Sequence, residues 1–268
     1  MKLLTQIYQY PVKSSMPISL QESPVHNRGL AFDRLWAIFD KNGQALTARE
    51  YPNLLDIEAK VTGEELLIRY KETTVCKVPL AVNSEESKSV SIFSYSATAA
   101  LTDQSANSWF SDFLGVECQL LVHDESKPRD VLEEHGGTPG DNVGFADQCP
   151  ILLTTEESLA DLNARLKRPL LMNRFRPNLV VKGTQAWEED QWQRVAIGEC
   201  EFKVNQACIR CALTTIDPIS KAKDLESEPL RTLNTFRKGP VGGVVFGMHL
   251  TPVTLGAVNV NDEVVVLK

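Results

Sequence analysis

Short runs in which apolar and polar residues alternate dominate the first third of the chain. Residues 3–10, 34–39, 57–61, 66–70 and 75–78 are rich in β-branched and aromatic side chains, the pattern of half-buried strands. Turn chemistry separates them: Asp40-Lys41-Asn42-Gly43 carries an Asn-Gly hairpin signal, and Thr62-Gly63 marks another break. This spacing predicts an antiparallel barrel or sandwich. The period then lengthens. Ala106, Trp109, Phe110, Phe113 and Leu114 fall on one face of a helix, and Gly115 stands where a helix stops. Residues 123–140 are polar and end in Gly136-Gly137-Thr138-Pro139-Gly140, so a long exposed loop is expected there. The helix closes a first domain, residues 1–120, ahead of a second, residues 121–268.

The second half opens on the apolar run Ile151-Leu152-Leu153. Thr154 with Glu157 fits a capping box, and Leu159, Leu162 and Leu166 give the following helix its apolar face. Further strands are predicted at 179–181, 194–197, 201–204, 213–216, 242–246 and 263–267. The reading is a mainly β protein with two helices and no internal repeat. No strand-GxGxxG-helix and no GxxxxGK[ST] is present, so dinucleotide and P-loop readings lack their defining feature.

Composition narrows the classes further. At 268 residues, 43% hydrophobic and 24% charged, the chain can bury a core without staples and fits roughly two domains. A net charge of −7 argues against nucleic-acid binding, which needs a basic field. No apolar run reaches membrane-span length and no signal-peptide core opens the sequence. Cys76, Cys118, Cys149, Cys200, Cys208 and Cys211 are too sparse for a disulfide scaffold, so free thiols in the cytoplasm are expected.

Three segments carry candidate chemistry. In Cys208-Ile209-Arg210-Cys211 the CxxC lacks the second ligand pair that a zinc site needs. The following Leu213-Thr214-Thr215-Ile216 reads as strand, whereas a thioredoxin-type thiol opens a helix. The pair is either buried structure or, with Arg210 favouring the thiolate, a metal ligand or nucleophile. The second segment contains Arg165, Lys167, Arg168, Arg174 and Arg176, with no acidic residue from 165 to 183. It is either a solvated helix end and loop or, at Arg174-Phe175-Arg176-Pro177-Asn178, a rigid presentation of guanidinium groups to an oxyanion. The third, Tyr10-Pro11-Val12-Lys13-Ser14, ends the first strand; alone it and the stretch from Asn27 to Arg34 are ambiguous.

Together, YPVKS, RGLAFDR, RFRPNLVV and CIRCALTTIDP occur in the order found in MOSC-domain proteins. The chain resembles the branch that contains the mitochondrial amidoxime-reducing component and bacterial YcbX-like proteins, across essentially its whole length. The resemblance implies an N-terminal β-barrel region followed by a β-barrel MOSC domain, with the first strand packing against the latter. It also implies a molybdenum cofactor. By motif position Cys211 would ligate the metal. Lys13, Ser14, Arg34, Arg176 and Asn178 would contact the pterin or its phosphate, with Cys208 and Arg210 lining the site. Asp217 is a proton donor, an orienting group or a turn-former ahead of Pro218. Where this branch often reads Asp-x-Ser-Pro, the chain reads Asp147-Gln148-Cys149-Pro150; Cys149 approaches the cofactor or fills a small-residue position.

The implied function is reduction of N-hydroxylated compounds such as amidoximes and hydroxylamines. No [2Fe–2S] cluster spacing is present, so electrons are expected from a separate donor: a ferredoxin, a flavin reductase or a cytochrome-type protein. No membrane anchor, nucleic-acid partner or pyridoxal phosphate is expected. Two other readings use the same residues: a sulfur carrier or transferase holding a cysteine persulfide, and a module that stores or delivers the cofactor.

Overall fold

A computed structural model describes residues 1–81 and 87–268. Its largest sheet has eight strands, ordered Ile18–Leu20, Leu3–Gln9, Leu179–Lys182, Ile151–Thr155, Val244–Thr254, Cys200–Arg210, Arg194–Ile197 and Val264–Val266. All neighbours are antiparallel except the parallel pair Ile151–Thr155 and Leu179–Lys182. Leu4 N donates to Asp262 O at 2.9 Å and Val264 N to Lys2 O at 2.9 Å, which rolls the sheet back on itself and protects its edges. Inside sit Leu4, Ile7, Leu153, Leu179, Val181, Phe202 and Leu250, the alternate inward positions of these strands.

The first half adds a four-stranded sheet (Trp36–Asp40, Cys118–His123, Tyr95–Leu101, Ser87–Ile92) and a meander (Ile57–Thr62, Glu65–Tyr70, Thr73–Pro79). The helix Gln104–Leu114 covers a core of Trp36, Ile38, Ile57, Ile68 and Leu120 with Ala106 and Phe110. Its cap Asp103 accepts from Ser105 N, and Gly115 stops it at φ 68°. The sequence boundary at residue 120 falls inside the strand Cys118–His123, which pairs with strands of the first half on both sides. The first strand, in contrast, belongs to the barrel of the second half.

Several local expectations change. Residues 213–216 do not extend as a strand; Ala212–Thr215 forms a 3-10 turn, because Thr214 and Thr215 hydroxyls donate to the carbonyls three residues back. Residues 123–140 are not simply exposed: His123, Asp124, Val131 and His135 are buried, and Arg129–Asp130 pairs with Asn142–Val143. The second helix, Glu156–Arg165, is capped by Thr155 rather than Thr154. A third helix, Leu230–Phe236, buries Leu233 alone, too little periodic signal for sequence reading.

Candidate functional site

One cavity of about 360 Å³ lies between the first half and the barrel. Lys13, Ser14, Arg34, Cys149, Arg176, Asn178, Cys208, Arg210 and Cys211 all line it. Segments separated by nearly the whole sequence are brought there by the first strand, which ends at the cavity while pairing with Leu179–Lys182.

From the first half, Lys13 Nζ donates to Phe145 O at 2.8 Å and forms a close ion pair with Asp147. Burial lowers the Lys13 pKa, opposed by Asp147. Burial would raise that of Asp147, but Lys13 and Arg49 outweigh it and hold the carboxyl at about 2. Arg34 Nη1 donates to Asp33 Oδ2 at 2.6 Å and to Asn178 Oδ1 at 3.0 Å, and Nη2 to Arg176 O at 3.2 Å. Its guanidinium and that of Arg176 lie 4.1 and 4.2 Å from the Tyr10 ring centroid. Burial brings the Arg176 pKa down to about 10. Ser14, Arg34, Phe93 and Arg176 all have left-handed backbone, at φ 73°, 46°, 56° and 55°. Side chains pay for that conformation, so strain is concentrated around the cavity.

Asn178 is largely engaged by the protein: Oδ1 also accepts from Leu152 N at 3.1 Å, and one Nδ2 hydrogen goes to Tyr8 O at 3.1 Å. It therefore holds Arg34 and the strand ends in register.

The barrel wall carries the thiols. Arg210 Nη1 donates to Cys208 Sγ at 2.9 Å and Nη2 to Phe175 O at 2.6 Å. Burial disfavours the Cys208 thiolate, yet Arg210 and His249 bring its pKa down to about 7. Gly247, at φ 77°, sits where the Cys200–Arg210 and Val244–Thr254 strands slip register, and a Cβ there would approach Leu153 O to 2.6 Å. Cys211 caps the 3-10 turn. Its carbonyl accepts from Thr214 N and Oγ1, while its Sγ has no hydrogen-bond partner among the described residues and its side chain is half-buried. Cys149 is buried, gives its Sγ to His135 O at 3.7 Å, and has its pKa pushed far up by burial, the state of an inert thiol.

Asp217 lies outside this cavity. Oδ1 accepts from Ile219 N and Ser220 N, and Oδ2 meets Arg174 Nη2 at 3.2 Å. It shapes its turn and steadies Arg174, which does line the cavity. Sequence reasoning missed Arg49, Phe93, Tyr95 and His249, lone residues in unrelated segments; an aromatic at a hairpin turn was the one usable signal.

Six cationic side chains (Lys13, Arg34, Arg49, Arg174, Arg176, Arg210) thus face one carboxylate, Asp147, with an unpartnered thiol among them. Arg174 Nη1 and Arg210 Nε lack hydrogen-bond partners among the described residues. This donor set suits an anionic group carrying a soft metal. No cluster of three or more His, Cys, Asp or Glu among the described residues could hold a metal by itself. No helix among the described residues is long and apolar enough to cross a membrane.

The family model for the MOSC domain matches residues 140–265, and that for the MOSC N-terminal beta barrel domain matches residues 1–117. The chain is 30% identical to human mitochondrial amidoxime reducing component 2 over 97% of its length and 82% of the relative's. It is 30% identical to mouse mitochondrial amidoxime-reducing component 1, covering 98% and 82%. With the zebrafish component 1 it shares 31% identity, covering 88% and 74%.

Proposed function

The chain belongs to the MOSC-domain family, and from that premise we propose that it is a molybdenum-cofactor oxidoreductase that reduces N-hydroxylated compounds with electrons from a separate redox protein. The half-buried Cys211 thiol, without a hydrogen-bond partner among the described residues and set in a cavity of six cations, carries this reading. When bound, the cofactor supplies a two-electron centre able to take oxygen from the substrate.

The chain's own residues bind and orient. Cys211 would ligate the metal through its sulfur. Arg34 and Arg176, fixed against Tyr10, would hold the pterin phosphate through their guanidinium groups, joined by Lys13 and the Ser14 hydroxyl. Arg210 lines the site and favours the thiolate form of Cys208 beside it. Cys149 fills space as a neutral thiol, and Asp217 positions Arg174. Among the described residues, Asp147 is the carboxylate at hand in the cavity to orient a substrate N–H or O–H.

Protein purified from a host that makes the cofactor should carry about one molybdenum and one pterin per chain, both lost in Cys211→Ala. Turnover is then tested with benzamidoxime and ferredoxin, flavin-reductase or cytochrome-type donors. Inactivity of molybdenum-loaded protein with every donor would favour a storage role.

The low Cys208 pKa, about 7, favours a second reading, a persulfide carrier. Its 6% exposure counts against it, since a sulfur donor must reach the thiol. Metal-free protein bearing cyanide-labile sulfur would establish this second reading and overturn the first.

A further inference from the structure

The turn joining Ser87–Ile92 to Tyr95–Leu101 is Phe93-Ser94, with Ile92 paired directly to Tyr95. Its tip reaches the cavity from the first half of the chain, and both Phe93 and Tyr95 line it. Of ten phenylalanines Phe93 alone is exposed, at 41%, and it takes the left-handed backbone that glycine or asparagine fills most easily. A bulky apolar ring is thus kept in a strained position with much of its surface open. Among the described residues it joins none of the buried apolar clusters.

The ring is nonetheless held. The Arg49 guanidinium lies 4.1 Å from its centroid and Lys13 Nζ 5.6 Å. Both cations are tied to Asp147. Below the tip, Tyr95 Oη bonds His135 Nε2 at 2.8 Å, and His135 Nδ1 meets Gln206 Nε2 at 3.2 Å on the Cys200–Arg210 strand. The hairpin is therefore docked onto the barrel wall that carries the thiols. A cation on an aromatic face fixes the ring without covering its edge or remaining surface.

We propose that Phe93 is a specificity-determining residue: its exposed ring stacks on flat, delocalised substrates, such as aryl amidoximes, held in the cavity with Cys211. The inference rests on the reductase reading for its choice of substrate class. Offset stacking of two rings is worth roughly five- to tenfold in binding.

The test compares holoprotein with Phe93→Leu, which keeps apolar bulk and removes the π face, and with Phe93→Tyr, which restores it. Benzamidoxime and acetamidoxime serve as probes, with Kd by calorimetry and KM and kcat by turnover. Phe93→Leu should lower the preference for benzamidoxime about five- to tenfold, through Kd and KM rather than kcat, and Phe93→Tyr should restore it. Molybdenum and pterin content should stay at the wild-type level. An unchanged preference, a loss seen equally with both probes, failure of wild type to bind benzamidoxime, or loss of pterin would overturn it. Phe93-dependent binding without turnover would support Phe93 while sinking the reductase reading; turnover without Phe93 dependence would do the reverse.

Discussion

The cavity wall supplied by residues 174–214 and the wall supplied by residues 13–95 are built in opposite ways. The former draws on two short stretches, one around Arg174 to Asn178 and one from Cys208 to Thr214. The latter gathers Lys13 and Ser14, Arg34, Thr47 and Arg49, and Phe93 to Tyr95, four segments joined only by the fold. Backbone bonds hold them: Arg34 N to Tyr10 O at 2.8 Å and Lys13 N to Trp36 O at 2.7 Å, with Ala48 N donating to Ser14 Oγ at 3.0 Å. One wall is written locally and carries Cys208, Cys211 and three of the six cations; the other is assembled at long range and carries the remaining three with Phe93 and Tyr95. The gathered wall should therefore tie site geometry to global stability more tightly.

Arg34→Ala tests that difference with the largest effect. Arg34 bridges the walls through Asn178 and the Arg176 carbonyl, and it neutralises Asp33, which is buried to 4% exposure. Removing one partner of a buried pair leaves an uncompensated charge, so a loss of about 3–5 kcal/mol is expected in urea unfolding. Arg210→Met, on the local wall, should lose about 1–3 kcal/mol, since it frees only the Cys208 thiol and the Phe175 carbonyl. Equal losses would erase the contrast between the walls.

The next effect lies behind the gathered wall. His123 is buried, its ring 5.3 Å from that of Phe145, whose carbonyl receives Lys13. Burial, then Arg28 and Arg129, lower its pKa from 6.5 to about 4. Between those values the unfolded chain binds the proton and the folded one does not, so stability is full above pH 6.5 and falls as pH drops towards 4. The loss from this group should be on the order of 2–3 kcal/mol. Urea unfolding across that window should show His123→Phe less acid-sensitive than wild type by this amount; parallel profiles would mean that His123 protonates freely in the folded protein.

The same asymmetry explains what could be read from the chain. The motifs at Arg174–Asn178 and Cys208–Cys211 stood out as candidates because their residues are neighbours in sequence, though only their shared order with the other motifs chose between the open alternatives. Arg49 and His249 were not, since a lone arginine after a turn or a histidine in an apolar strand carries no signature. Strands were visible from alternation, and the helix Gln104–Leu114 from its period and Gly115. The turn at Ala212–Thr215 was misread because β-branched threonines favour strand until their hydroxyls bond back to the main chain. Burial of His123 and His135 escaped notice because it depends on the long-range wall and not on local polarity.

The smallest expected effect concerns the two thiols of the local wall. Cys208 is 6% exposed and engaged by Arg210, so Cys208→Ala should cost about 1–3 kcal/mol in cofactor-free protein. Cys211 has a free Sγ among the described residues, and its carbonyl keeps Thr214 N and Oγ1 whatever the side chain. Cys211→Ala should therefore move the cofactor-free unfolding free energy by no more than about 0.5 kcal/mol. The pair of measurements separates a thiol that serves the fold from one left available for a ligand. A loss at Cys211 as large as that at Cys208 would make both thiols structural and remove the ground on which metal ligation by Cys211 stands.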